Sequence, residues 1–399
     1  MKKLKSFHPY SCQNIDQSDI NEVLNTLKSN FITQGPKIAE FEKNFAKYVG
    51  SKYAVACSNG TAALYIALKS LNFKKSQKII TSPITFLASA NCSEFLGGNV
   101  IFADIDMSTY CISEVDLEKK LKKFKIKVLV LVHYAGNSSN LEKIKKIADK
   151  YNCKIMEDSC HALGGSYKKY KFGSCKYSEI STFSFHPVKP ITTGEGGMIT
   201  TNNSSIYEKL LLYRNHGMHK NIKSFKNKNL AYTSTKKVNQ WYYEMENFSY
   251  NFRLTDIQSA LGNSQLKKLD SFTKRRKKIA EIYDNQLKNN PNIIIPKPNL
   301  NVSHAYHLYT ILIDYKKINT SRYDFMNNLR KYNIGTQVLY IPLYHQPYYK
   351  KKYNFKKKDF YNSEKFYSMC LSIPIFPSMK KQDVINISKI INYLTSNYE

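Results

Sequence analysis

Short runs of apolar residues alternate with amphipathic stretches through the first two hundred positions of the chain. "YAVACSNG" (53–60) predicts a strand leading into a helix from Thr61 to about Leu71. "KIITSP" (78–83) precedes a helix near 85–96, and "NVIFADID" (99–106) follows. "IKVLVLVHYAG" (126–136), an amphipathic helix near 140–151 and "CKIMEDS" (153–159) complete the series. Strands that read as continuous apolar runs, separated by helices, predict a parallel sheet covered on both faces. Ligand sites in such sheets gather at the carboxyl ends of the strands. The polar clusters of this sequence fall at those ends.

After about residue 204 the pattern changes. Residues 216–250 are polar, aromatic and Lys-rich, and predict a loop or lid. A long helix is expected from about Thr255 to Lys288, then a linker at "PNIIIPKPN" (291–299). "HLYTILID" (307–314) and "NIGTQVLYIPLY" (333–344) suggest a small α+β domain. The expected organisation is a large α/β unit over 1–254 and a smaller C-terminal unit over 255–399, with no internal repeat.

Composition narrows the function classes. With 399 residues, 42% of them hydrophobic, the chain can bury a large core and a second, smaller one. No apolar run reaches the roughly 20 residues that span a bilayer, and no apolar segment follows the basic N-terminus, so a cytoplasmic protein without membrane attachment is expected. The net charge of +31 raises nucleic-acid binding. The lysines, however, are spread over the whole length instead of forming a stripe, so an acidic small-molecule substrate suits the charge and no nucleic acid is expected. Eight Cys without a C-x-x-C pair give no metal cluster and no disulfide framework.

Against that background "STFSFHPVKPITTGEGGMITTNN" (181–203) stands out. It fixes one of many flexible amines, Lys189, between a β-like run and a Gly-rich turn, with Pro187 and Pro190 around it. Three other clusters bear on it. Asp158 ends a buried strand in "EDSCHALGG", as a helix cap or turn former or as an acid in a site. Gly60 and Thr61 in "SNGTAAL" open a helix, whose free N–H groups suit an anion. Phe86 in "SPITFLASAN" follows a strand end, as core or as a stacking platform. A constrained lysine amine forms a Schiff base with a carbonyl, including that of pyridoxal phosphate. Such chemistry also needs a phosphate cradle, an acid at the pyridine nitrogen and a flat group on the ring. The chain offers all four.

The segments "TQGP…FE", "SNGTAAL", "EDSCHALGG", "SFHPVKPITTGEGG", "RNHGM" and "YNFRLTDIQSALG" together resemble the DegT/DnrJ/EryC1/StrS family of sugar aminotransferases. The resemblance implies a fold-type I, α/β enzyme with a mainly parallel central sheet, pyridoxal 5'-phosphate as cofactor and L-glutamate as amino donor. It implies Lys189 as the Schiff-base lysine, Asp158 at the pyridine nitrogen, Phe86 stacked on the ring, and Gly60, Thr61 and Ser184 at the phosphate. His161 would sit beside the ring hydroxyl, and Asn251 would reach the phosphate of a neighbouring subunit, in a homodimer with shared sites. The wording of "DSCHALG" and "KPITTGEGG" is most like the branch that aminates C4 of a UDP-linked 4-keto sugar for pseudaminic acid. Tyr134, His307, Tyr340 and His345 are further candidates for sugar or nucleotide contacts. Arg253 suits a substrate or an interface contact, and His186 a structural or a catalytic place.

Overall fold

The computed structural model describes residues 2–396; Met1 and the last three residues of the expected C-terminal unit lie outside them. Seven strands form the central sheet. Across it they run Tyr53–Cys57, Gly197–Thr201, Ile180–Ser184, Lys154–Asp158, Val128–Val132, Lys78–Thr81 and Asn99–Phe102. All neighbours pair in parallel except Gly197–Thr201, which is antiparallel to the strands on both sides. The strict period of two sorts the apolar runs onto both faces. Val128 and Val130 enter the core under the helix Gly60–Ser70, while Leu129 and Leu131 enter the core under Leu141–Lys150. Each such buried side chain contributes about 1.5–3 kcal/mol, so the register is fixed by the core.

A second core surrounds the three strands Ile293–Ile294, Tyr309–Ile313 and Cys370–Ile373 with the helix Lys381–Ser396. The helix Asp256–Leu287 belongs to both cores. Leu266, Leu269 and Phe272 pack under the large sheet, and Ile279, Tyr283 and Leu287 pack in the smaller core. The N-terminal residues are tied to this second core as well. Leu4 is buried in it, and backbone bonds join His8 to Asn333 (2.9 Å) and Gly335 (2.7 Å), and Tyr10 to Ile375 (3.0 Å). Residues 333–344 form no regular strand; they run beside Cys370–Ile373 through the single Gln337–Ser372 bridge and then leave it. Residues 216–250 fold as a small hairpin, Met218–His219 against Glu244–Met245, with a short helix Lys228–Ala231.

The start of the long helix holds a second helix in place. Pro36–Val49 begins at Gly35, whose missing side chain cannot cap it. Asp256, fully buried, accepts the N–H groups of Gly35 (2.7 Å) and Lys37 (2.8 Å) instead. Two residues on, Gln258 Nε2 donates to the Glu195 carbonyl (2.8 Å), in the turn that follows Lys189. Asp256→Ala leaves two N–H groups without a partner and is expected to cost about 3 kcal/mol. Urea unfolding measures it; a loss below about 1 kcal/mol would mean that water replaces the carboxylate.

Candidate active site

A cavity of about 430 Å³ opens at the carboxyl ends of the central strands. Lys189, Asp158, His161, Gly60, Thr61, Phe86 and Ser184 all line it, with His186, Tyr10 and Tyr340. Seven of the eight residues expected from the sequence therefore meet in one place. Asn251 does not: it is exposed, outside the cavity of its own chain, with its side chain accepting the Arg253 N–H (3.1 Å). No residue of 216–250 lines the cavity of its own chain.

Lys189 sits on the connection between two adjacent antiparallel strands, Ile180–Ser184 and Gly197–Thr201, whose ends pair as Ser184 with Gly197. The loop is pinned by Phe185 N–H to the Gly196 carbonyl (2.8 Å), Thr193 N–H to the Phe185 carbonyl (3.0 Å) and Lys189 N–H to the His186 carbonyl (2.8 Å). Ser11 Oγ, from the N-terminal segment, holds the carbonyl of Val188 (3.0 Å). Burial lowers the proton affinity of the Lys189 amine; the neighbouring Cys160 and Asp158 oppose this. A buried amine with a reduced pKa is a nucleophile and a base.

Asp158 ends its strand with both oxygens engaged. Ser89 Oγ donates to one (2.6 Å) and the Cys160 N–H to the other (3.2 Å). Because the Ser89 proton is committed to Asp158, Thr85 Oγ1 donates to Ser89 (2.8 Å). These two donors fix the orientation of the carboxylate, which lines the cavity. Ser89 and Thr85 escaped sequence reading, since nothing in "SPITFLASAN" separates them from ordinary helix-start residues. Phe86, one residue past Thr85, is 55% exposed and is not core, leaving a flat apolar face in the cavity wall.

The helix Gly60–Ser70 presents its first turn to the cavity. Asn59 caps the Ala62 N–H (2.8 Å) and its carbonyl takes the Ala63 N–H (3.0 Å), which leaves the N–H groups of Gly60 and Thr61 for a ligand. A Cβ on Gly60 would come within 2.8 Å of the Ser184 Cβ, so only glycine lets the helix start approach the strand end this closely. Ser184 adds its hydroxyl at the same point. This is an anion cradle of backbone and hydroxyl donors.

His161 accepts the Ala135 N–H at Nδ1 (3.2 Å) and faces the Tyr340 hydroxyl at Nε2 (3.1 Å). His307 lies behind it, ring centroids 4.3 Å apart. Tyr134 is buried and donates to the Leu339 carbonyl (2.6 Å), and His345 pairs with Glu364 (2.7 Å); neither reaches the cavity. Arg253 donates to Asn215 and does not line the cavity of its own chain. Of these secondary candidates, Tyr340 and His186 line the cavity.

A lysine nucleophile, a held carboxylate, an exposed ring and an anion cradle in one cleft define an enzyme of the fold-type I aminotransferase class. The chain belongs to the DegT/DnrJ/EryC1/StrS aminotransferase family, which it matches over residues 13–392. It is 37% identical over 376 residues to the UDP-4-amino-4,6-dideoxy-N-acetyl-β-L-altrosamine transaminase of Campylobacter jejuni, covering 94% of each chain. It is also 37% identical over 392 residues to the spore coat polysaccharide biosynthesis protein SpsC of Bacillus subtilis, covering 98% of each. The solved structure of Helicobacter pylori PseC, an aminotransferase of pseudaminic acid biosynthesis, superposes with a TM-score of 0.87 at 33% identity, over 98% of this chain and 99% of that one. Among the described residues no helix is long and apolar enough to cross a membrane.

Three buried imidazoles, His161 in the cavity wall, His307 behind it and His304, give a testable pH dependence. Burial, with the Lys189 charge adding to it, holds His161 and His307 well below the ordinary value, and burial pushes His304 down to about 3. Below pH of about 6.5 the unfolded chain binds protons that the folded chain refuses. Stability is therefore intact above that pH and falls below it, by up to about 1.4 kcal/mol per pH unit for each imidazole. Urea midpoints measured from pH 7.5 to 5 should fall steeply, and His304→Asn should remove one imidazole's share of the slope.

Proposed function

We propose that this enzyme moves an amino group from L-glutamate to C4 of UDP-2-acetamido-2,6-dideoxy-β-L-arabino-hexos-4-ulose, a UDP-linked 4-keto-6-deoxy-N-acetylhexosamine, in a cytoplasmic pathway toward pseudaminic acid. The observation that carries this reading is the meeting of Lys189, Asp158 and the Gly60–Thr61–Ser184 cradle in one cavity, in a chain so similar to the C. jejuni transaminase. The residues present fit pyridoxal 5'-phosphate: an anion cradle, a carboxylate fixed by two donors, an exposed ring and a buried amine. When bound, that cofactor supplies an aldehyde carbon that carries the amino group between substrates and a ring that stores an electron pair.

The chain's own residues then divide the work. Gly60, Thr61 and Ser184 bind the phosphate through N–H and hydroxyl donors. Asp158 keeps a proton on the pyridine nitrogen, because a facing carboxylate favours the cationic form. Phe86 covers one face of the ring and excludes water. His161 orients polar groups beside the ring hydroxyl. Lys189, its proton affinity lowered by burial, removes a proton from the donor carbon and delivers one to C4 of the sugar. Its fixed position sets the face of delivery. Lys189 supplies the amine that transamination needs, which favours that reaction over a pyridoxal-phosphate-dependent sugar dehydration. The equal identity to SpsC supports a second reading, a different nucleotide-linked 4-keto or 3-keto sugar as acceptor. NMR analysis of the product from the UDP-linked 4-keto sugar and glutamate decides; strong preference for the D-xylo over the L-arabino epimer would favour the second reading.

We also propose a homodimer in which Asn251 completes the partner's phosphate site. Its exposure, and that of Trp241 (75%) and Phe248 (63%) nearby in sequence, supports this. Lys189→Ala is expected to fold and to lose turnover. Co-refolding Lys189→Ala with Asn251→Ala subunits should restore activity, because some mixed dimers carry one intact site. A fully active monomer would refute the shared site.

A further inference from the structure

Tyr340 has no task in the scheme above, yet it is held more firmly than a wall residue needs to be. The segment 333–344 abandons its pairing after Gln337 and enters the cavity at Leu339 and Tyr340. Buried Tyr134, itself bonded to Thr310 (3.1 Å), fixes the Leu339 carbonyl, so the phenol of Tyr340 is carried on a rigid support.

Its hydroxyl has a defined polarity. The Ala135 N–H can only donate, so Nδ1 of His161 is an acceptor. Burial beside the Lys189 charge keeps this imidazole neutral, and its one proton therefore lies on Nε2. That N–H donates to the Tyr340 oxygen at 3.1 Å. The phenolic proton of Tyr340 is left free for an acceptor in the cavity. The proposed sugar has C4 flanked by C5, which bears only a methyl group outside the ring, and by C3, which bears a hydroxyl. C3 thus carries the one hydroxyl beside the reacting carbon, and glutamate has no counterpart to it.

We propose that Tyr340, oriented by His161, donates a hydrogen bond to the C3 hydroxyl oxygen of the keto sugar and is a specificity-determining residue of the sugar half-reaction. The assignment rests on the sugar reading given above. A site built around a substrate hydroxyl rejects an analogue lacking it, because its own donor is left unpaired.

The test uses the holoenzyme, with the two half-reactions followed separately by the visible absorbance of the bound cofactor. Tyr340→Phe should lower kcat/KM for the UDP-linked 4-keto sugar by about 10- to 100-fold. The glutamate half-reaction should change by less than about threefold, within what a lost solvent-side contact gives. The wild type should discriminate strongly against the 3-deoxy sugar analogue, and Tyr340→Phe should lose that discrimination. Calorimetry should show weakened binding of the UDP-linked 4-amino product but unchanged binding of UDP alone. His161→Gln, whose amide offers one acceptor and one donor, should keep the discrimination, and His161→Leu should lose it. Equal losses in both half-reactions, or a shifted absorbance band in Tyr340→Phe, would give Tyr340 a structural or cofactor-facing role and overturn the assignment. So would an unchanged preference for the 3-hydroxyl. A wild type that reacts with glutamate but with no UDP-linked keto sugar would overturn the sugar reading and this assignment together.

Discussion

The hairpin between Ile180–Ser184 and Gly197–Thr201 reverses the chain at the carboxyl edge of an otherwise parallel sheet. A βαβ crossover would carry the chain away from that edge; a return on the neighbouring strand keeps it there. The loop between the two strands therefore stays over the same edge that Asp158 and Phe86 reach from other strands. Core contacts of Phe183, Phe185 and Met198 anchor both stems, and Ser11 and Gln258 hold the loop from outside. Burying an amine is unfavourable, and the sheet's packing offsets it. That same burial gives the amine its reactivity, so the strain on the charge and the chemistry have one origin.

Charge is distributed in the opposite sense at the surface and in the cleft. The excess of 31 positive charges is carried on solvated faces, where each lysine interacts weakly with the next. Within the cleft burial works against positive charge, lowering the proton affinity of Lys189 and of the His161 and His307 imidazoles. A neutral His161 is what allows a directed relay of donors from Ala135 through the imidazole to Tyr340.

Much of this was legible in the chain itself. The apolar runs at 53–57, 78–81, 99–102, 128–132 and 154–158 became the predicted strands because burial writes itself into composition, on both faces at 128–132 and on one face at the edge strand 99–102. Lys189, Asp158, Gly60, Thr61, Phe86, His161 and Ser184 were legible because their motifs are local. Ser89, Thr85 and Tyr10 were not, since their roles arise only when distant segments meet. Residues 333–344 read only as part of a small α+β unit; nothing in them shows that the segment leaves its pairing after Gln337 to reach the cavity at Leu339 and Tyr340. The hairpin at 216–250 lacks a periodic apolar face, so nothing in its sequence places it relative to the cavity.

The bonds of His8 and Tyr10 to Asn333, Gly335 and Ile375 join the N-terminal segment to the smaller C-terminal core. Ser11 in turn holds the loop of Lys189. The seat of the Lys189 loop therefore depends on a segment that is itself held by the C-terminal core. Contacts of such wide sequence separation make folding slow.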